Sequence, residues 1–413
     1  MIYFSDYVKT SLRKALFISG SLGLGHIIRD VEIAKELRKL NPDQQIDWIA
    51  VPPASIKLSE IGEKVLPASE RFANENIIAE SMSKNNKLNL ADYIYNSQKA
   101  WKTNVELFKE ITEQTKYDLV IGDETYDLFA GINADPGMKN APFVMIFDFI
   151  GMDSTTNNPF EKLICYYFNY IWSRDLKNSH MDLELFIGEP EDVLDKSFGF
   201  LLPNRRTYAE KRMNFVGYVV PFDPEKFEST VEAKKQLGYG QEPLVLCTVG
   251  GTSVGKELLE LCCDSYGYMK RRDEDIKMVV VTGPRIDKGS LDVDPEIKVL
   301  GYVPNLFMHI AAADVVVTQG GGGTTLEVAA LRKPFLYFPL EGHFEQEVHV
   351  AGRLKRHGLG VRMKYSETTP EDLAENVCDL IGVKQRCSLP IDGAAKAARL
   401  IHDAMNKQSD PTK

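Results

Sequence analysis

The stretch Val315-Val316-Val317-Thr318-Gln319-Gly320-Gly321-Gly322-Gly323-Thr324-Thr325-Leu326-Glu327 constrains the fold more than any other part of the chain. Its β-branched run predicts a buried strand, and a helix is predicted directly after the four glycines. Glycine permits φ > 0 and clears side chains from the turn. Backbone N–H groups can then line a concave anion site, reinforced by the positive end of the following helix. Such a turn suits a diphosphate. Glu327, one helical turn in, is placed to accept hydrogen bonds from a ribose. The bland alternative is a tight strand-to-helix connection, but four consecutive glycines cost conformational entropy.

Two further turns have the same grammar. The apolar run Ala15–Ser19 leads into Gly20-Ser21-Leu22-Gly23-Leu24-Gly25-His26 and then an amphipathic helix predicted from Val31 to Leu40. The run Leu244–Val249 leads into Gly250-Gly251-Thr252-Ser253 and a helix from about Lys256. One such unit early and two late predict an α/β protein of two Rossmann-like domains facing each other across a cleft.

The length of 413 residues suits two domains rather than one. A net charge of -10 argues against a nucleic-acid partner. The six cysteines show no CxxC spacing, which fits reduced thiols in a cytoplasmic protein. The first residues, Met1 to Lys14, lack the apolar core of a signal peptide. No apolar run reaches the roughly 18 residues that a membrane helix needs.

Apolar strands are expected at Ala15–Ser19, Gln45–Val51, Tyr117–Ile121, Phe143–Phe147, Glu184–Ile187, Leu244–Val249, Met278–Thr282, Val315–Thr318 and Phe335–Phe338. Helical patterns between them predict parallel sheets covered on both faces. Two prolines in Gly217–Pro224 mark a boundary, ahead of a charged helix from Glu225 to Leu237. The expected domains are 1–218 and 219–390. A final helix over Ala394 to Met405 could cross back to the first domain before a polar tail. The segment Leu163–Trp172 is apolar and aromatic almost all round, and is expected to be a buried helix. The sharper alternative is an aromatic wall for an acceptor, or a membrane-touching patch.

The motifs from Gly301-Tyr302-Val303-Pro304-Asn305 through Gln319–Glu327 to Glu345-Gln346 resemble the donor-binding domain of GT-B glycosyltransferases. The likeness is to the UDP-glycosyltransferases and MurG-type N-acetylglucosaminyltransferases, and Gly23-Leu24-Gly25-His26 resembles their N-terminal turn. The resemblance implies that Tyr302 stacks on the nucleobase and Val303 offers backbone groups to its edge. It also implies that Gly320, Gly321, Gly322, Gly323, Thr324 and Thr325 cradle the diphosphate. Glu327 would hold the ribose, and Glu345 and Gln346 the donor sugar. Gly250, Thr252 and Ser253 are read as a second contact to donor phosphate or sugar. The chain departs from the common pattern at Asn305, Gln319, His349 and Arg29, where the family commonly has Gln, His, Asn and Pro.

His26 is the catalytic candidate, because a neutral imidazole can take the proton that makes an alcohol nucleophilic. The family often pairs it with an Asp at a later strand end, and Asp123 matches by position. It would orient the ring, although a helix N-cap is an equally ordinary role for it. His309, His343, His357 and His402 read as surface or packing histidines. Gly250–Lys256 fits G-x-x-x-x-G-K, but Glu257 stands where a phosphate loop needs Ser or Thr. Asp292-Val293-Asp294 reads as a solvated turn rather than a metal motif. The expectation is an inverting, metal-independent transferase without a cofactor, using a UDP-sugar as co-substrate. Its acceptor would be a small molecule, a saccharide or a lipid-linked sugar. The enzyme would work in the cytoplasm, including at the inner membrane face. A hydrolase or epimerase of nucleotide sugars, or a non-catalytic sugar-nucleotide-binding protein, would share much of this pattern.

Overall fold

Five-residue strands buried along nearly their whole length form the centre of each half of the chain. A computed structural model describes residues 14–20, 25–73, 83–84, 87–88, 90–154, 158–251, 254–341, 343, 345–386 and 389–408. In the first half, β1 (Lys14–Ile18), β2 (Gln45–Ile49), β3 (Lys64–Val65), β6 (Leu119–Asp123), β7 (Phe143–Phe147), β8 (Leu183–Ile187) and β9 (Asn214–Gly217) form one parallel sheet. A small hairpin, β4 (Ser83–Lys84) and β5 (Lys87–Leu88), lies outside it. The order is β3-β2-β1-β6-β7-β8-β9. In the second half, β10 (Leu244–Thr248), β11 (Lys277–Val281), β12 (Lys298–Leu300), β13 (Val315–Gln319), β14 (Phe335–Phe338) and β15 (Val361–Arg362) are also parallel. Their order is β12-β11-β10-β13-β14-β15.

Both orders reverse beside their first strand, and ligands of open parallel sheets bind in the crevice at such a reversal. Each sheet has an apolar layer on both faces, as parallel sheets require. All nine expected strands are present within two residues at each end. Within the two parallel sheets, the strands that periodicity did not reveal are β3, β9, β12 and β15, two to four residues long and at or near sheet edges; the hairpin β4–β5 was not expected either.

The connection between the sheets passes very close to the returning chain. A Cβ on Gly217 (φ +81°) would lie 2.6 Å from Pro390 O, and one on Gly393 would lie 2.7 Å from Tyr218 O. The helix Gly393–Gln408 then packs on the first half, burying Ala397, Ala398, Ile401 and Met405 in its core beside Ile33 and Leu37. Burial of a side chain such as Ile401 contributes about 1.5–3 kcal/mol. The two halves are also clasped through Asp192. It accepts hydrogen bonds from Tyr218 Oη (2.6 Å), Arg356 Nη2 (3.0 Å) and Arg353 Nε (3.4 Å). His357 Nε2 lies 2.7 Å from Glu189 Oε2 in the same clasp, so it joins the domains rather than lying idle on the surface.

Helix Pro159–Lys177 corrects an expectation. It is not buried all round: Phe160, Leu163, Tyr166, Tyr167 and Tyr170 are exposed, while Cys165, Asn169 and Ser173 face inward. Asn169 is the anchor, exchanging hydrogen bonds with the backbone of Met152 at 2.8 and 2.7 Å. Among the described residues, no helix is long and apolar enough to cross a membrane.

Candidate active site

The reversal point of the first sheet brings together the loop after β1 and the end of β6. The helix Gly25–Leu40 begins six residues earlier than expected, so His26 lies in its first turn. The buried carboxylate of Asp123, the last residue of β6, accepts from His26 Nδ1 at 2.9 Å. A carboxylate can only accept, so Nδ1 is the protonated nitrogen.

Arg29 lies one turn on, on the same helix face as His26. Its guanidinium donates to both oxygens of Asp123, and to Asp148 Oδ2 at 3.0 Å. Its Nη2 also lies 2.9 Å from His26 Nδ1, but that nitrogen already donates to Asp123, so the contact is packing rather than a second hydrogen bond. The departure at Arg29 therefore lies at the centre of the site, and it ties together the ends of two strands. Glu124 takes a left-handed backbone (φ +50°). Its Oε2 comes to 3.3 Å from His26 Nε2, and its Oε1 accepts from Tyr126 Oη at 3.2 Å. Asp30, fully buried, accepts from Ser19 Oγ at 2.6 Å.

These groups divide by charge. Burial opposes ionisation of Asp123, but the charges of Arg29 and His26 hold its carboxyl below the ordinary range. The same burial and Arg29 leave Asp148 lowered as well. Burial, then Asp148, pushes Glu124 well above the usual carboxylate range. Burial, then Asp123, does the same to Asp30. Two carboxyl groups are thus set below and two above their ordinary range, around one guanidinium and one imidazole. His26, Glu124 and Asp148 offer ligand atoms within 4.8 Å of one another, close enough for a cation. The guanidinium of Arg29 already satisfies Asp148, so the negative charge is met from within the protein.

In the second sheet, β10 and β13 flank the reversal. Gly321 caps the helix Gly322–Ala330. None of the four glycines has a positive φ, which corrects one of the two reasons expected for them. Their role is space. A Cβ on Gly320 would lie 2.9 Å from Pro339 Cα, whereas Gly321 faces open room. The left-handed conformation occurs instead at Gly250 (φ +72°), whose Cβ would lie 3.0 Å from Thr324 Oγ1. The Gly250 turn therefore adjoins the Gly320–Gly323 turn. Thr325 is buried and bonds back to Gly321 O at 2.8 Å. Gln319 is buried at the end of β13.

Glu345 and Gln346 begin a π-helical turn, Glu345–Val350, a distortion often found at functional sites. The Glu345 carboxyl lies near the N-terminus of the glycine helix, 3.5 Å from where a Cβ on Gly322 would be. Gln346 Oε1 accepts from Leu340 N at 2.8 Å, so it braces the loop after β14. Glu327 lies half-buried on the same helix, and desolvation pushes its carboxyl up to about 8. Tyr302 is 43% exposed after β12, a free aromatic face. Val303 packs against the core beside it, and Asn305 stands at the N-cap position of the next helix without a side-chain bond to it. Gly23, Thr252 and Ser253 lie outside the described residues.

The two sites meet. A Cβ on Gly323 would lie 3.9 Å from Gly25 Cα. The helices Gly25–Leu40 and Gly322–Ala330 therefore bring their N-termini together, and both positive dipole ends favour an anion there. Sequence reasoning did not assign roles to Arg29, Asp30, Glu124 or Asp148. The one signal was the acidic pair Asp123-Glu124 at a strand end.

Residues 245–405 match the glycosyltransferase family 28 C-terminal domain. Over 190 residues the chain is 29% identical to an uncharacterized glycosyltransferase of Methanopyrus kandleri, covering 45% of this chain and 53% of that protein. The chain thus spans about half the length of that relative. Over 409 residues it is 23% identical to the UDP-N-acetylglucosamine--N-acetylmuramyl-(pentapeptide) pyrophosphoryl-undecaprenol N-acetylglucosamine transferase of Thermoanaerobacter sp. (strain X514), covering 95% of this chain and 97% of that one. The crystal structure of the glycotransferase of kitacinnamycin superposes with a TM-score of 0.61 at 16% identity, over 95% of each chain. That likeness shows the fold, two facing parallel-sheet domains of the GT-B type.

Proposed function

We propose that this chain, a GT-B protein whose second half is a glycosyltransferase family 28 C-terminal domain, moves a sugar from a nucleotide-sugar donor to an acceptor hydroxyl. The observation that carries the reading is the meeting of the glycine helix with the first turn of the His26 helix. A diphosphate held at Gly320–Thr325 would place its sugar between the domains, within reach of the charged cluster. Tyr302 would stack on the base, Glu327 would hold the ribose, and Glu345 the sugar hydroxyls. The His26–Asp123 pair would handle the acceptor's proton, Asp123 fixing the ring as it does in hydrolytic triads. The acceptor then attacks the anomeric carbon from the face opposite the diphosphate, and a single displacement inverts its configuration.

Backbone amides and two helix ends would stabilise the leaving diphosphate, which makes metal independence part of the reading. UDP is the proposed nucleotide, by likeness to the relative that uses UDP-N-acetylglucosamine. The exposed aromatics of Pro159–Lys177 belong to the first domain, the half that receives the acceptor in this reading. Work at the inner face of a membrane remains part of the proposal.

A panel of nucleotides and nucleotide sugars, read by thermal shift, tests the donor side. A ligand that binds the native state at about 100 times its Kd adds about 2.7 kcal/mol of stability. UDP or UDP-sugars should raise the melting temperature most. No shift with any nucleotide would remove the donor site from the account.

A further inference from the structure

The second ring nitrogen of His26 lies at ion-pair distance from a carboxyl group. Nδ1 donates to Asp123, so Nε2 is the atom that would take the acceptor's proton, yet Glu124 Oε2 lies 3.3 Å from it. An imidazole nitrogen has one lone pair and cannot serve a carboxyl group and an alcohol together. A bare lone pair against an ionised carboxylate would repel it. The two atoms stand at ion-pair distance, and the contact is favourable when Nε2 carries a proton and Glu124 is ionised. The backbone is bent to make this contact: Glu124 holds φ +50°, a conformation that a side-chain-bearing residue keeps only where its surroundings impose it. Glu124 N is fixed to Ile146 O at 3.0 Å, and Tyr126 Oη is fixed to Oε1.

We propose that Glu124 is a second catalytic residue, and that its carboxylate, paired with His26, receives the acceptor's proton. The inference rests on the glycosyl-transfer reading and revises which atom of the pair acts. The acceptor O–H bond breaks and its proton goes to Glu124. The acceptor oxygen forms the bond to the anomeric carbon, and the bond from that carbon to the diphosphate oxygen breaks, leaving its electron pair on the diphosphate. In this step His26 keeps its own proton on Nε2, where the carboxylate of Asp123 balances the charge. Deprotonation of Glu124 by solvent then resets the site. The charged and titratable groups facing Glu124 are His26, Arg29, Asp123, Asp148 and Tyr126. Burial first, and then Asp148, raise the Glu124 carboxyl above its ordinary range, so it holds a transferred proton more firmly.

The test compares Glu124→Gly, Glu124→Ala and His26→Ala with wild type, by turnover, pH profile and nucleotide thermal shift. Glycine suits the left-handed backbone, so Glu124→Gly should keep or raise the melting temperature. Its turnover should fall at least 100-fold, with the UDP shift unchanged. The ascending limb of the pH–rate profile should be lost in both Glu124 variants. In His26→Ala it should survive, moved to higher pH. If His26 alone were the base, freeing Nε2 would leave Glu124→Ala as active as wild type or more so, and that result overturns the proposal while leaving glycosyl transfer intact. A sharp fall in melting temperature for Glu124→Gly would also overturn it, by showing a structural carboxyl. Wild type that transfers no sugar from any nucleotide donor would instead remove the underlying reading, and this inference with it.

Discussion

On the first-domain side of the cleft, His26, Arg29, Asp30, Asp123, Glu124 and Asp148 are joined in one cluster of hydrogen bonds and close charge contacts. On the second-domain side, Gly320–Gly323 present nearly bare backbone at a helix N-terminus. The contrast matches a division of labour. Moving a proton needs groups that titrate near working pH. Stabilising a leaving diphosphate needs fixed dipoles that cost no reorganisation. Damage to the first side should therefore reduce turnover with donor binding intact, and damage to the second should reduce binding.

The largest effect expected is from His26→Ala. Turnover should fall by about 10²–10⁴, the usual scale for losing acid–base catalysis, while nucleotide affinity stays within twofold. Loss of UDP binding in that variant would erase the contrast between the two sides. Arg29→Ala should come next, read as stability. Removing one partner of a buried ion pair costs about 3–5 kcal/mol, and Arg29 is the cation that answers Asp123 and Asp148. Chemical denaturation should show this loss, and a variant as stable as wild type would mean that the cluster is solvated.

On the other side, Glu327→Ala should weaken UDP binding at neutral pH by about 0.5–1.5 kcal/mol, the range for an uncharged hydrogen bond. Calorimetry would measure it, and an unchanged affinity would detach Glu327 from the ribose. A subtler effect is expected with pH. The Glu327 carboxyl is raised to about 8 in the folded chain. A raised group contributes its stability fully below the unfolded value, near 4.3, and loses it as pH rises through the folded one. Glu327→Gln should therefore gain in melting temperature relative to wild type between about pH 6 and 9. A constant difference across that window would show that the carboxyl is not desolvated. The smallest expected effect is that of EDTA, which should leave turnover unchanged. Complete loss, restored by Mg²⁺ or Mn²⁺, would turn His26, Glu124 and Asp148 into the place to look for an ion.

The same contrast explains what could be read in advance. The glycine run, its strand and its helix are contiguous, so their geometry follows from local rules of chain conformation. The strands Phe143–Phe147 and Phe335–Phe338 were legible because burial on both faces demands continuous apolar runs. Edge strands such as Lys64–Val65 and Val361–Arg362 pair on one side only and carry no such mark. The charged cluster was legible only at His26 and Asp123. Arg29, Asp123 and Asp148 are separated by 94 and 119 positions where they bond, and nothing local records such a meeting. Of the two reasons expected for the glycines, only the missing side chains hold, since none of the four takes a positive φ. The apolar helix Pro159–Lys177 shows the converse error: an all-round apolar sequence predicts burial, yet its aromatic side faces out.

The most direct test of the central claim is the fate of an α-linked UDP-sugar, followed by NMR with an acceptor alcohol present and absent. Inverting transfer predicts acceptor-dependent consumption of the donor and a β-linked product. A retained α linkage, or cleavage at the same rate without any acceptor, would contradict it.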